Sequence, residues 1–136
     1  MLKFNKIRQL IKSDPLVTLR ETCNEHETCG QTYLKKTEHE NYVVSHTVID
    51  GIERIHYQPI KPQKEAVIVF QHGMWHGAWC WQYWQAFFAE QGWESIAYSL
   101  PGHGKSLEQN KVEECTLAYY LYFLEQEINR IEAPVV

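Results

Sequence analysis

Val67-Ile68-Val69-Phe70-Gln71-His72-Gly73-Met74-Trp75-His76-Gly77-Ala78-Trp79-Cys80-Trp81 is the stretch on which the reading of this chain turns. Residues 66–70 form a short, continuous apolar run, mostly β-branched or aromatic, which is the pattern of a strand buried on both faces of a parallel sheet. A polar turn at His72-Gly73 follows. Trp81, Trp84 and Phe88 then recur at helical spacing, and Gly92 stands where such a helix would stop. The aromatic cluster Trp75, Trp79, Trp81, Trp84 and Trp93 reads as core packing along a helix face plus part of a pocket wall.

Working outward, residues 95–100 make a second short buried strand, and Pro101-Gly102-His103-Gly104 a turn. Leu117, Tyr120, Leu121, Leu124, Ile128 and Ile131 mark a long amphipathic helix with Thr116 as its N-cap. Ala133-Pro134-Val135-Val136 resembles the opening of a further buried strand. On the amino-terminal side, Tyr42–Ile49 and residues 52–60 flank Asp50-Gly51, the dipeptide of a two-residue type I′ hairpin turn. Residues 20–40 are polar and read as a linker. Phe4, Ile7, Leu10 and Ile11 lie at helical spacing ahead of Asp14-Pro15 and predict a short amphipathic helix. The order hairpin, strand, helix, strand, helix, incipient strand predicts an α/β fold with a largely parallel sheet and crossover helices. Residues 1–40 are expected to be an amino-terminal extension and residues 41–136 the domain.

Composition narrows the function classes. The chain has 136 residues, 44% hydrophobic and 22% charged, with a formal net charge of −4. That is a globular balance without the basic footprint of a nucleic-acid binder. No apolar run approaches the roughly 20 residues of a membrane span, and no apolar core follows the basic start, so no membrane or secretory role is expected and the cytoplasm is the default. The four cysteines should then stay reduced. Cys23, His26 and Cys29 offer C-x₅-C with one His and no matching second half, which falls short of a structural zinc site.

A glycine directly after a buried strand lets the backbone bend sharply and present its N–H groups, which can stabilise an oxyanion developing in acyl transfer. At this point the sequence resembles the α/β-hydrolase superfamily, and the H-G-x-x-H-G-A-W-x-W form is similar to its small-esterase and hydroxynitrile-lyase-like branch. A second landmark agrees. Tyr98-Ser99-Leu100-Pro101-Gly102-His103-Gly104-Lys105-Ser106 resembles the D-x-P-G-H-G-x-S loop of that superfamily, with Ser99 in place of the usual Asp. The resemblance covers about residues 42–136.

The resemblance implies an incomplete α/β-hydrolase sheet and a parent activity of ester or related carbonyl hydrolysis on a small-molecule substrate. It assigns the Met74 backbone N–H to the oxyanion hole, with His72 and Gly73 shaping the turn. Trp75 and His76 are placed at the substrate pocket, and His76 and Trp79 order the loop and helix start. His72 itself reads as a satisfied structural histidine rather than an acid or base. No metal or organic cofactor is implied. The nucleophile of the family lies in a G-x-S-x-G elbow after the fifth strand, followed by Asp or Glu and then His. That strand begins at Pro134-Val135-Val136, so no catalytic triad residue is present in the chain and the triad is expected after Val136. The chain therefore reads as a fragment, inactive alone, whose run 66–70 would present an unpaired apolar edge unless a second chain completed the fold. Two other readings stand beside it. One is a non-catalytic binding or partner-completing module. The other is a nucleotide site at Gly104-Lys105-Ser106, which lacks both the leading Gly (Ser99 stands there) and the helix that should follow.

Overall fold

The computed structural model describes residues 31–108, 110 and 114–136. The amphipathic stretch Phe4 to Ile11 and the Cys23, His26, Cys29 group lie outside the described residues. The elements run β1 (Tyr33–Glu38), β2 (Tyr42–Ile49), β3 (Ile52–Pro59), β4 (Val67–Gln71), a 3₁₀ turn (Ala78–Trp81), α1 (Gln82–Glu90), β5 (Glu94–Tyr98) and α2 (Leu117–Asn129). The strands form one mixed sheet in the order β1-β2-β3-β5-β4. β4 and β5 are parallel, whereas β3 pairs antiparallel with both β2 and β5. The parallel pair joined through α1 is the α/β unit that the two apolar runs predict.

The hairpin forms at the expected dipeptide: Asp50 and Gly51 have φ of 54° and 72°, the two positive values a type I′ turn requires. Thr116 caps α2 by accepting from the Tyr119 N–H at 3.2 Å. α1 ends in a Schellman arrangement, with Trp93 N–H donating to Phe88 O at 2.9 Å and Gly92 N–H to Ala89 O at 3.0 Å.

The β3-β5-β4 part of the sheet is covered on both faces. On one side Ile55, Tyr57 and Ala97 pack with Ala78 and Ala89 of the 3₁₀ turn and α1. On the other, Ile52, Tyr98 and Leu100 pack with Cys115 and Tyr120 under α2. Fully burying one aliphatic or aromatic side chain contributes about 1.5–3 kcal/mol, so each layer is a substantial share of the stability. Arg54 on β3 reaches α2 as well, where its Nε and Nη2 donate to the two carboxylate oxygens of Glu127, each at 2.6 Å.

Three features differ from the sequence reading. The sheet begins at Tyr33, within the stretch read as linker. β1 has no apolar side (Leu34 is 74% exposed) and is a strand because β2 offers it a ladder, a tertiary influence that local pattern does not register. The buried face of α1 is Gln85 and Ala89 rather than the tryptophans. Ala89 allows close approach to the sheet, and the Gln85 amide donates to the Ile55 carbonyl at 2.9 Å, while Trp75, Trp79 and Trp84 are exposed. Trp81 alone of the cluster stacks inward, on Phe70 at 5.0 Å. Finally, the free edge of β4 is partly occupied. Val135 bridges Val67 in parallel, with Val67 N–H donating to Pro134 O, Val136 N–H to Val67 O and Val69 N–H to Val136 O. The incipient strand therefore lies beside residues 66–70, and the open edge starts only past Val69.

Candidate functional site

β4 and β5 end side by side because they are parallel neighbours, so the loops after them, residues 72–77 and 99–106, meet at one edge of the sheet. His72 joins them. Its Nε2 accepts from the Leu100 N–H at 3.0 Å, which leaves Nδ1 as the protonated nitrogen, donating to the Gly73 carbonyl at 2.7 Å. Burial dominates its titration and, with the charge of His76, outweighs the opposing influence of that carbonyl and of Glu53, so the imidazole is held below its ordinary pKa. A buried, neutral ring with both nitrogens committed organises the turn and has no nitrogen left for proton transfer.

After His72 the loop turns outward. Among the described residues no group accepts from the N–H of Gly73, Met74 or Trp75. Trp75 has φ of 65°, and apart from the hairpin's Asp50 it is the sole non-glycine with positive φ among the described residues. Such a conformation costs roughly 1–2 kcal/mol, and left-handed residues recur where successive amides converge on an anion. His76 Nδ1 donates to the Met74 carbonyl at 2.8 Å and its ring stacks on Trp79 at 5.8 Å.

A cavity of about 270 Å³ opens beside the loop. Gln71, His72, Gly73 and Met74 form its rim, Leu100 and His103 come from the second loop, and Leu117, Tyr120, Leu121 and Leu124 of α2 give it an apolar wall. Of the sequence-predicted site residues, His72, Gly73 and Met74 therefore share one surface. Trp75 and His76 are exposed and are not among the residues that line the cavity. His103 is buried against the His72 and Tyr120 rings, at 4.9 and 5.9 Å, and belongs to the turn. Gln71 also takes the Tyr98 hydroxyl as a hydrogen-bond partner.

The residue that sequence reasoning passed over is Glu53. It is 3% exposed on β3 and accepts from Ser99 Oγ at 2.6 Å, the Lys105 N–H at 2.9 Å and His46 Nε2 at 2.7 Å. Burial by itself would raise its pKa; the bonds from His46, Lys105 and Ser99, with the His46 charge, outweigh burial and hold the carboxyl below its usual range. Its clue lay in the alternation: positions 53, 55 and 57 share one face of β3, and a Glu in line with Ile55 and Tyr57 needs buried partners. The same network removes the nucleotide reading. The Lys105 N–H is spent on a carboxylate, Ser106 Oγ is buried between the Glu53 N–H and the Ser99 carbonyl, and residues 107 and 108 that follow directly are not helical. A phosphate there would face the charge of Glu53.

Among the described residues no helix is long and apolar enough to cross a membrane, and no cluster of His, Cys, Asp or Glu has the arrangement of a metal site.

Comparison with known proteins adds to this geometry. No curated protein sequence matches the chain. Among solved structures, the chain is similar to a thioesterase domain from the curacin biosynthetic pathway, with 21% identity and a TM-score of 0.52 over 74% of this chain and 33% of that one. A probable hydrolytic enzyme from Pseudomonas aeruginosa aligns at 16% identity and a TM-score of 0.43, covering 88% of this chain and 37% of its own length. The chain thus spans about a third of the length of these structures, and the likeness is one of fold. A family model described as the alpha/beta hydrolase family matches residues 67–136, from the first residue of β4 onward and including both loops that build the site, and the chain belongs to that family.

Proposed function

We propose that the chain carries the oxyanion-binding half of a hydrolase acting on a carboxylic ester or related carbonyl substrate, with Met74 N–H as the principal donor. The observation that carries the reading is the set of uncommitted N–H groups at Gly73, Met74 and Trp75, on a loop pinned by the neutral His72 at the rim of a cavity. Donors held in place before reaction stabilise the negative charge of a tetrahedral intermediate without reorganising. The thioesterase domain among the structural neighbours is consistent with such chemistry. Residues 1–136 contain no G-x-S-x-G, and no His follows His103. In this reading the nucleophile and its base are supplied from outside these residues, since oxyanion donors alone leave only a small part of hydrolase catalysis.

The test is a titration of the ¹⁵N-labelled chain with a short alkylphosphonate, a tetrahedral anion. Amide shifts should centre on Gly73, Met74 and Trp75, and Met74→Pro, which removes one N–H, should weaken them. Shifts confined to the exposed lysines of β1 would reject the reading. The chain should not hydrolyse p-nitrophenyl butyrate above a buffer blank, and turnover would show a nucleophile within the 136 residues. A binding role without chemistry is the second reading, supported by the apolar α2 wall of the cavity. It requires that a neutral apolar ligand shift Leu117, Leu121 and Leu124 while the phosphonate leaves the loop amides unmoved.

A further inference from the structure

We infer that Glu53 is the positioning residue of the amide loop, acting through Ser99, and that the single negative charge this node needs can reside on either of two strands: on Glu53 of β3, as here, or at position 99 after β5, where the D-x-P-G-H-G-x-S pattern has its Asp.

Both ends of the loop are fastened to consecutive residues. His72 takes the Leu100 N–H at one end, and at the other the Ala78 N–H donates to Ser99 Oγ at 2.8 Å. Ser99 is fully buried, and its hydroxyl has one proton, which goes to Glu53 Oε2. That commitment turns a lone pair toward Ala78. A charged acceptor fixes the hydroxyl more firmly than a neutral one, so the carboxylate sets the strength of the Ala78 bond without touching it. The space is built for this arrangement. At Gly104, with φ of 51°, a Cβ would lie 2.2 Å from Glu53 Oε2 and 2.6 Å from Ser99 Oγ, and at Gly77 a Cβ would lie 3.0 Å from Ser99 Oγ. Only one carboxylate can occupy the node, because two anions whose oxygens stand 2.6 Å apart cannot both stay ionised. If the charge moved to position 99, an Asp there could accept the Ala78 and Lys105 N–H groups, and a Gln at 53 could donate to it while still accepting from His46.

Ser106 provides the control. Its hydroxyl ties the Glu53 N–H to the Ser99 carbonyl, at 2.9 and 2.6 Å, within the same node but without touching the Ser99 hydroxyl. The catalytic meaning of the node rests on the proposed role of Met74; its existence does not. The experiment follows hydrogen exchange of the Ala78 amide, relative to hairpin amides, together with the melting temperature of the 136-residue chain. Glu53→Gln should lower Ala78 protection by about tenfold, the weight of one charge-assisted hydrogen bond. Ser106→Ala should lower the melting temperature yet leave that ratio unchanged. Ser99→Asp should be the least stable variant, and Glu53→Gln/Ser99→Asp should recover both protection and melting temperature. A double variant no better than Ser99→Asp, or equal loss of Ala78 protection in Glu53→Gln and Ser106→Ala, overturns the inference. If Ser99→Asp does not fold, the comparison of the Glu53 and Ser106 variants decides alone. No ligand enters these readouts, so a failed phosphonate titration would reject the proposed function and leave this result standing.

Discussion

Removing the Glu127 carboxylate should unfasten α2 from the sheet. The guanidinium of Arg54 meets it as a fork, Nε to Oε2 and Nη2 to Oε1 at 2.6 Å each, with the two side chains 14% and 7% exposed. Truncating one partner of a buried ion pair costs about 3–5 kcal/mol, because the remaining charge has neither water nor counterion. Two details set the value here. Arg54 Nη1 keeps donors engaged on the Ile49 and Ile52 carbonyls, at 3.2 and 3.3 Å, so Glu127→Ala belongs near the lower end of that range, at about 3 kcal/mol. Arg130, 55% exposed and 3.6 Å from Glu127, is screened by solvent and is worth no more than about 0.5 kcal/mol. For a chain of this size about 3 kcal/mol corresponds to roughly a 10 °C fall in melting temperature. Replacing both partners by Met should cost only about 0–1 kcal/mol, since an apolar pair has no stranded charge. The assay is urea denaturation followed by circular dichroism and tryptophan fluorescence for Arg54→Met, Glu127→Met, Glu127→Ala and the double Met variant. Additive single effects, or single losses under about 1 kcal/mol, would refute the claim that a stranded charge dominates.

Trp75→Gly should raise stability by up to about 1 kcal/mol, since glycine has no Cβ penalty at φ of 65°; a loss in the denaturation midpoint would mean that the exposed ring makes stabilising contacts. Gly104→Ala should cost at least about 2 kcal/mol, because its Cβ would sit 2.2 Å from the Glu53 carboxylate in a left-handed conformation, and a melt unchanged from the parent would contradict that packing. Acid should weaken the fold in two stages. Burial keeps His72 below its ordinary pKa, so the unfolded chain binds that proton first and stability falls as pH drops below about 6.5. Glu53, held below the usual carboxylate range, contributes stability that is full above about pH 4.5 and is lost as pH falls through its folded value. Denaturation midpoints measured from pH 8 to 3 should show both stages, with His72→Gln removing the first and Glu53→Gln the second.

The elements that could be read from sequence are those whose signal is local. Asp50-Gly51 needs only its own two backbone conformations, and Thr116 needs only the N–H three residues on, so both were visible without tertiary information. The buried runs at β4 and β5 were equally plain because both faces of each strand are covered, which leaves no polar alternation to misread. What was hidden depends on residues far apart. β1 has no apolar face and exists through its partner. Trp84 on α1 read as core by its spacing, yet a Gln that satisfies two sheet residues took the buried face, an outcome set by which carbonyls happen to lie opposite. At the site, His72, Gly73 and Met74 could be placed by the strand-to-turn pattern. Glu53 could not, since its partners Ser99 and Lys105 lie 46 and 52 residues away.

That separation bears on how the loop holds its shape. Under the proposed role, a segment whose amides stay free for an anion cannot be stabilised by backbone–backbone bonds of its own, since any such bond would consume a donor. Residues 73–75 meet that condition, and the left-handed Trp75 adds an unfavourable roughly 1–2 kcal/mol. The stabilisation has to come from bonds that use no amide of residues 73–75: that of His76 to the Met74 carbonyl, and at the loop's ends those of His72 to Leu100 and of Ala78 to Ser99, each worth about 1 kcal/mol if both partners are neutral. Neutral bonds of that size leave little margin over the strain at Trp75 and the entropy lost in ordering the loop. A carboxylate behind Ser99 widens that margin, because bonds to a charged group are worth about 1.5–3 kcal/mol. Under the proposed oxyanion role the charge must also be kept off the loop face itself, where it would repel the anion. Glu53 satisfies both demands from β3, reaching the loop only through a hydroxyl, with Gly104 packed over its oxygen.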